Sequence, residues 1–70
     1  MKQRVLVTGS EGGVGQAVCK QLSEEGHTVC HFDRLAHPDL NNAIVGDITN
    51  RDQVLEATRD MDAIIHLAAT

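Results

Sequence analysis

A glycine-rich segment directly after a short apolar run is the feature that most constrains the fold of this chain. Residues Arg4–Thr8 read RVLVT, and a continuous apolar run of this kind is typical of a strand buried on both faces. The run leads into a segment in which Gly9, Gly12 and Gly15 lie three residues apart. Glycine lets the chain turn sharply, and its missing Cβ lets another group approach the backbone closely. The pattern predicts a strand that turns through glycines into a helix, with room for a ligand at the turn.

The remaining residues predict an alternation of helices and strands. Residues 14–25 show apolar side chains at helical spacing and are expected to form a helix that ends at Gly26. Its apolar positions are Val14, Ala17, Val18 and Leu22. The further elements predicted are a strand over Thr28–Phe32 ended by Asp33, a loop over 37–42, a strand over Ala43–Val45, a helix over 50–59 capped by Thr49, and a strand over Asp62–Leu67.

Alternating strands and helices give a parallel sheet with crossover connections. Right-handed crossovers predict the strand order 3-2-1-4, with the helix over 14–25 on one face of the sheet and the helix over 50–59 on the other. The expected fold class is therefore α/β, a Rossmann-type parallel sheet with helices on both faces. Residues 1–70 would form the N-terminal part of such a domain, and its ligand would bind where the strand order reverses.

The glycine spacing and a following acidic residue together indicate a dinucleotide site. Free N–H groups and the positive dipole end at the start of the helix suit a pyrophosphate. Asp33 follows Gly15 by 18 residues, close to the roughly 20 expected of the acidic residue that binds the adenosine ribose. A carboxylate there accepts hydrogen bonds from both ribose hydroxyls and repels a 2′-phosphate, which favours NAD over NADP. Two alternatives stay open: Asp33 could simply start a turn, and Arg34 could meet a 2′-phosphate.

Charge and composition argue against several other functions. The formal net charge of -4 is unsuited to a nucleic-acid partner, which needs a basic face. The apolar run near the amino terminus is too short for a membrane span or a signal peptide, so a cytoplasmic protein is expected. Cys19, Cys30 and the four histidines lack the spacing of metal ligands, and the two thiols are expected to lie in the core.

Four segments of the chain resemble the extended short-chain dehydrogenase/reductase family, the NAD-dependent epimerases and dehydratases. They are Thr8–Gly15 (TGSEGGVG), Phe32–Arg34 (FDR), Gly46–Thr49 (GDIT) and Asp62–Ala69 (DAIIHLAA). The T-G-x-x-G-x-x-G spacing differs from the G-x-G-x-x-G of other Rossmann dehydrogenases. The resemblance covers essentially the whole chain and implies NAD as the cofactor.

The resemblance also implies which residues would contact that cofactor. At the pyrophosphate they are Gly9, Gly12, Gly13 and Val14; at the adenosine ribose Asp33 with Arg34 beside it; at the adenine Asp47 and Ile48; and beneath the cofactor toward the nicotinamide ribose Leu67, Ala68 and Ala69. From the residues alone, Asp47 would be interpreted as a cap and Leu67–Ala69 as the end of a strand with small side chains. Their role at the cofactor is an implication of the family resemblance.

The catalytic residues of the family are not found in this sequence. The family uses a tyrosine and a lysine four residues later, and the chain contains no tyrosine. We therefore expect the NAD-binding portion of an epimerase/dehydratase-like oxidoreductase, acting on a nucleotide sugar when complete. The alternative is a non-catalytic dinucleotide-binding or interaction module. An open apolar edge on the fourth strand would make the 70-residue chain weakly stable and prone to self-association.

Overall fold

Strands and helices alternate along the part of the chain that the computed structural model describes, residues 2–36 and 42–68. The elements in chain order are β1 (Arg4–Thr8), α1 (Gly13–Glu24), β2 (Thr28–Asp33), β3 (Ala43–Val45), α2 (Arg51–Ala57) and β4 (Ala63–His66). Each strand lies within one residue of its predicted bounds at either end. Most of the predicted loop over 37–42 lies outside the described residues, which resume at the turn residue Asn42.

The four strands form one parallel sheet in the order β3-β2-β1-β4. In the register of the sheet, Val7 of β1 lies beside His31 of β2 and Ile65 of β4. This is the predicted order, and it confirms the Rossmann-type α/β fold class. The carboxyl ends of all four strands consequently meet along one edge of the sheet.

Side chains of β1 alternate between two cores, one on each face of the sheet. Val5 and Val7 pack against Cys19 of α1, whereas Leu6 belongs to the cluster on the α2 face. That second cluster contains Leu6, Cys30, Phe32 and Ala57, with Ile44, Ile48, Val54 and Met61 packed against it. The continuous apolar run of β1 is therefore buried on both faces, as the sequence indicated.

Both cysteines are buried free thiols, and they lie on opposite faces of the sheet. Cys19 packs on the α1 side and Cys30 on the α2 side, so the sheet separates the two sulfur atoms. Burial raises the pKa of the Cys19 thiol, and the nearby Glu11 carboxylate adds to the effect. The cysteines act here as small apolar core residues, as expected.

The buried face of α1 differs from the prediction. Val14 is 67% exposed and Ala17 is also exposed, although both were counted among the apolar positions of the helix. The buried residues are instead Gly15 and Cys19. Positions 15, 18, 19 and 22 follow the i, i+3, i+4, i+7 spacing of a single helical face. The predicted Val18 and Leu22 do pack against the core on this face, whereas Gly15 was missed because glycine carries no apolar side chain to count.

The start of α2 also differs, by one residue. The N-cap is Asn50, whose side-chain oxygen accepts a hydrogen bond from the backbone N–H of Gln53 at 3.0 Å. Thr49 was expected to be the cap, but its hydroxyl is directed back to the Asp47 carboxylate, to which it donates at 2.7 Å, and the cap is the next residue. The helix therefore covers Arg51–Ala57 and not residues 50–59.

The outer edge of β4 has no partner strand within residues 2–36 and 42–68. Ile64 of β4 is 51% exposed, and Leu55 of α2 is exposed to a similar extent. An unpaired strand edge beside apolar surface is a template for pairing with another chain. We propose that the 70-residue chain pairs with a second copy of itself along this edge.

Analytical ultracentrifugation checks this proposal. We expect the unmodified chain to sediment as a dimer or a larger species and Ile64→Lys to sediment as a monomer, because a lysine at the edge opposes strand pairing. Leu35→Lys is the matched control, since Leu35 is 76% exposed in the turn after β2. It adds the same charge away from β4 and should leave the association unchanged. A monomeric unmodified chain with a cooperative thermal transition would contradict the proposal.

Candidate functional site

A cleft of about 570 Å³ lies at the edge of the sheet where the carboxyl ends of the four strands meet. Its lining comes from the segments that follow the four strands and from the last two residues of β2. The lining residues are Gly9, Gly12, Phe32, Asp33, Arg34, Gly46, Asp47, Ile48, Thr49, Leu67 and Ala68. Open parallel sheets bind ligands at this position, outside the carboxyl ends of the strands.

Most of the residues predicted for a cofactor site lie together in this cleft. Eight of the predicted residues line it: Gly9, Gly12, Asp33, Arg34, Asp47, Ile48, Leu67 and Ala68. Gly13 and Val14 form the first turn of α1 beside the cleft without lining it. Ala69 lies outside the described residues. The cleft thus gathers residues that are up to 59 positions apart in the sequence, from Gly9 to Ala68.

Two glycines allow β1, α1 and β4 to approach one another at the cleft. Gly9 has a φ of 75°, and a Cβ on it would lie 2.8 Å from the backbone nitrogen of Ala68. A Cβ on Gly15 would overlap the carbonyl oxygen of Gly9 and lie 2.9 Å from the Cα of Ser10. All of these neighbours are backbone atoms, which cannot rotate away. The glycines at positions 9 and 15 are therefore required by the packing of the protein itself.

The start of α1 has free backbone donors beside the cleft. Its N-cap is Gly12, which has no side chain to accept from the first-turn N–H groups, and the first turn contains no acidic residue. Gly12 itself lines the cleft, and Gln16 N donates to its carbonyl oxygen at 2.9 Å as the first bond of the helix. The N–H groups of the first turn and the positive end of the helix dipole are therefore suited to an anion.

The Asp33 carboxylate joins the glycine turn to the end of β2. Its Oδ2 atom accepts a hydrogen bond from Glu11 N at 3.0 Å, and its Oδ1 atom accepts one from Leu35 N at 3.0 Å. The bond from Leu35 N, two residues later, forms a turn at the end of β2. Asp33 therefore has the turn-starting role that the sequence allowed as an alternative to ribose binding. A carboxylate offers about four lone-pair positions, so each oxygen keeps one for a further donor. The turn and a ligand contact are thus compatible at the same side chain.

Asp47, which follows β3, is held in the cleft by its neighbours in the chain. Its Oδ1 atom accepts hydrogen bonds from Thr49 N at 2.9 Å and from the Thr49 hydroxyl at 2.7 Å. These bonds, the backbone bond first, lower the pKa of the Asp47 carboxyl below its ordinary value. Asp47 is consequently an ionised carboxylate at neutral pH, and its Oδ2 atom can accept from another group.

The Thr8 side chain fixes the segment after β4. Thr8 is buried, and its hydroxyl oxygen lies 2.8 Å from His66 Nδ1, 3.1 Å from Leu67 N and 3.4 Å from Ala68 N. A hydroxyl has one hydrogen and two lone pairs. Both backbone N–H groups are satisfied when the oxygen accepts from them and the hydrogen is donated to His66 Nδ1. Residues 67 and 68 are thereby placed against Gly9 at the floor of the cleft.

The sequence interpretation missed several residues of the cleft. Phe32, Gly46 and Thr49 line it although they were not predicted as site residues. Gln53 supports it from α2, because its Oε1 atom accepts from Asp47 N at 2.8 Å. The spacing of Asn50 and Gln53, a cap residue followed three positions later by Gln, was the available signal.

No group of three or more His, Cys, Asp or Glu side chains among the described residues is arranged to bind a metal ion. The helices within residues 2–36 and 42–68 are also too short or too polar to cross a membrane.

Comparisons with known proteins agree with the geometry of the cleft. The model of the NAD dependent epimerase/dehydratase family matches residues 5–70. A 3-beta-hydroxysteroid dehydrogenase of Mycolicibacterium neoaurum is 48% identical over 71 residues, covering 94% of this chain and 19% of that protein. A 2-alkyl-3-oxoalkanoate reductase of Stenotrophomonas maltophilia is 40% identical over 70 residues, covering 94% of this chain and 21% of that protein.

Comparison with a solved structure agrees with the Rossmann-type fold. The crystal structure of a short-chain dehydrogenase/reductase superfamily protein from Agrobacterium tumefaciens, with bound NAD, matches with a TM-score of 0.85 at 34% identity. The match covers 96% of this chain and 20% of that one. The chain therefore spans about a fifth of the length of these relatives.

Proposed function

The chain belongs to the NAD dependent epimerase/dehydratase family, and from this membership we propose that it is the NAD-binding part of an oxidoreductase. The observation that carries the proposal is the cleft at the carboxyl ends of the strands. The donor-rich start of α1 lies beside it after β1, and two positioned carboxylates, Asp33 at the end of β2 and Asp47 after β3, line it further along the same edge of the sheet. A dinucleotide needs the same three elements: donors for its phosphates, an acceptor for a ribose and an acceptor for adenine.

The pyrophosphate would lie against the first turn of α1. A Cβ on Gly12 would meet Gly9 O at 3.6 Å, an ordinary contact, so the packing of the protein does not itself require glycine at position 12. The missing side chain instead leaves space in the cleft, where the N–H groups of Gly13 and Val14 could reach phosphate oxygens. Position 12 thus differs from Gly9 and Gly15, whose small size serves internal packing.

The two carboxylates would receive the adenosine half of NAD. Asp33 would accept hydrogen bonds from the ribose hydroxyls, with Arg34 beside it. Asp47 would accept from the exocyclic amine of adenine, and the backbone of Ile48 would meet the ring edge. Leu67 and Ala68, with Ala69 following them, would pass beneath the cofactor toward the nicotinamide ribose.

Bound in this way, NAD would supply hydride transfer at its nicotinamide ring. The residues of this chain would bind and orient the cofactor without exchanging a proton with the substrate. The tyrosine that the family uses for that step is absent from the 70 residues, so it would have to lie in another part of a longer protein. The proposed role of the chain is cofactor binding, with catalysis supplied elsewhere.

The substrate we propose for the complete enzyme is a nucleotide sugar, as the family resemblance implies. The relatives compared above are named for a hydroxysteroid and for a 3-oxoalkanoate. All three classes of molecule contain a carbon that carries a hydroxyl or a keto oxygen. Oxidation or reduction at such a carbon is the reaction type that the three alternatives share.

The alternative function is a non-catalytic module that binds a dinucleotide or a partner protein. The feature in its favour is that both acceptors proposed for the adenosine half, Asp33 and Asp47, line one cleft, while the 70 residues include no tyrosine. Isothermal titration calorimetry with NAD tests the cofactor-binding role that both proposals share. A folded chain that releases no binding heat with NAD would contradict it and leave an interaction module as the remaining alternative.

Substitution of Gly12 by serine provides a sharper test. We expect Gly12→Ser to lower NAD affinity by about tenfold or more, since one lost hydrogen bond to a charged group costs about 1.5–3 kcal/mol. The serine side chain would fill part of the cleft and accept from the N–H groups that the phosphates need. The free energy of unfolding should be unchanged or higher, because serine is a preferred N-cap residue and Gly12 already has an extended backbone.

Calorimetry and urea unfolding of the same two proteins check this expectation. The opposite signs of the two effects identify a phosphate site, because general damage to the fold would lower affinity and stability together. Unchanged NAD affinity in Gly12→Ser would place the pyrophosphate elsewhere.

A further inference from the structure

We infer that Gln53 is a positioning residue for adenine recognition and that it acts through Asp47. The inference rests on the proposed function, since it concerns how the same cleft distinguishes one purine from another. Gln53 does not line the cleft; it lies in the first turn of α2 behind it.

The first step is an altered capping box at the start of α2. In the usual form, the side chain of the third helical residue returns to the N–H of the N-cap. Here Asn50 Oδ1 accepts from Gln53 N at 3.0 Å, as usual, but Asn50 N already donates to Asp47 O at 2.9 Å. The Gln53 side chain reaches three residues further back, where its Oε1 atom accepts from Asp47 N at 2.8 Å.

The consequence is that Asp47 is held at both its backbone and its side chain. Its N–H is bound by Gln53, its carbonyl oxygen by Asn50 N, and its Oδ1 atom by the N–H and hydroxyl of Thr49. The backbone bond from α2 sets where Asp47 sits, and Thr49 sets how the carboxylate is turned. Gln53 therefore links the rigid helix to the orientation of the acceptor.

A fixed carboxylate distinguishes purines by the group at position 6. Adenine carries an amine there, which donates a hydrogen bond to a carboxylate. Hypoxanthine carries a carbonyl oxygen at the same place, which a carboxylate repels. This preference depends on the carboxylate staying in place, because a mobile Asp47 side chain could turn away from the carbonyl oxygen.

The packing beneath Asp47 also supports the role of Gln53 as a positioning residue. A Cβ on Gly46 would lie 2.7 Å from the Phe32 ring and 3.3 Å from Gln53 Oε1. The Gln53 carboxamide thus reaches the backbone at the junction of β3 and the Asp47 turn. The backbone of Gln53 is fixed in the first turn of α2, and its Oε1 atom is held by the bond from Asp47 N.

The test compares the dissociation constants of NAD and of nicotinamide hypoxanthine dinucleotide, measured by calorimetry. We expect the unmodified chain to prefer NAD by about tenfold, which corresponds to about 1.4 kcal/mol. Gln53→Met keeps the length of the side chain and removes the acceptor, so the preference should fall toward equality. Gln53→Glu keeps an acceptor oxygen and should restore most of it. Gln21→Met is the matched control, since Gln21 is exposed on α1 and bonds Glu25 at 2.8 Å.

Hydrogen exchange at the Asp47 amide gives a second readout that needs no cofactor. Exchange should be faster in Gln53→Met than in the unmodified chain and should be slow again in Gln53→Glu. If Gln53→Met lowers the melting temperature but keeps the preference for NAD, Gln53 is a cap of α2 only and the inference is overturned. If the unmodified chain binds neither dinucleotide, the proposed function fails and the inference fails with it.

Discussion

Gly15→Ala is expected to lower the free energy of unfolding by about 2 to 4 kcal/mol, one of the largest effects that a single methyl group can have. The added Cβ would overlap the carbonyl oxygen of Gly9 and lie 2.9 Å from the Cα of Ser10 and 3.0 Å from the carbonyl carbon of Gly9. A chain of this length has a total stability on the order of 4–10 kcal/mol. The substitution would therefore remove a large part of the stability of the fold.

The surroundings of Gly15 cannot relax at small cost. Gly9 is fixed by its N–H, which donates to Phe32 O at 2.9 Å, and by its close approach to the backbone of Ala68. Moving α1 outward would instead separate Cys19 from Val7 in the core on that face. Either movement breaks contacts that hold the sheet to the helix, so the clash is not relieved by one side-chain rotation.

Gly13→Ala is the matched control for this prediction. Gly13 is in the same helix two residues earlier, and a Cβ built on it meets no atom within 4 Å. The free energy of unfolding of the Gly13→Ala variant should be unchanged or higher by up to about 1 kcal/mol, since alanine is the better helix former. Urea unfolding followed by far-ultraviolet circular dichroism measures both variants. Equal losses in the two would show that the contact with Gly9 is not the cause of the loss in Gly15→Ala.

The sheet could be predicted because each strand has a local apolar sequence pattern and the strand order follows from general rules of topology. The apolar runs at β1 and β4 mark two of the strands, of which β1 is buried on both faces, and right-handed crossovers favour the observed strand order for this sequence of elements. The gathering of Asp33 and Asp47 in one cleft follows from that order, since each lies at or just after the carboxyl end of a parallel strand. Their roles toward NAD remain a proposal.

The N-cap of α2 and the role of Gln53 could not be predicted, because they depend on competition between polar groups. Thr49 and Asn50 are both good N-cap residues, and only the structure shows that the Thr49 hydroxyl is already bonded to Asp47. The role of Gln53 depends on the same fact, because it requires the N-cap to be at position 50. Gly15 was missed on the buried face of α1 for another reason: it contributes by its small size, which hydrophobic spacing does not register.

Asp33 has one role in the structure and a second role in the proposed function, and the two can be separated by experiment. Its bond to Glu11 N holds the glycine turn, a contribution that would affect every dinucleotide equally. Its remaining lone pairs would accept from the ribose hydroxyls, a contribution that would affect NAD and NADP differently. The ratio of the two affinities therefore isolates the ribose role, because effects on the turn cancel.

Asp33→Ala is expected to weaken NAD binding by roughly ten- to a hundredfold, the loss given by about 1.5–3 kcal/mol for hydrogen bonds to a charged group. NADP binding should fall much less, because removal of the carboxylate also removes its repulsion of the 2′-phosphate. Arg34→Ala is the complementary variant: Arg34 lines the same cleft, and its loss should weaken NADP binding while leaving NAD binding nearly unchanged. Calorimetric titration of both cofactors into the three proteins measures the ratios. Equal losses of NAD and NADP affinity in Asp33→Ala would refute the ribose assignment and leave Asp33 with its role in the turn alone.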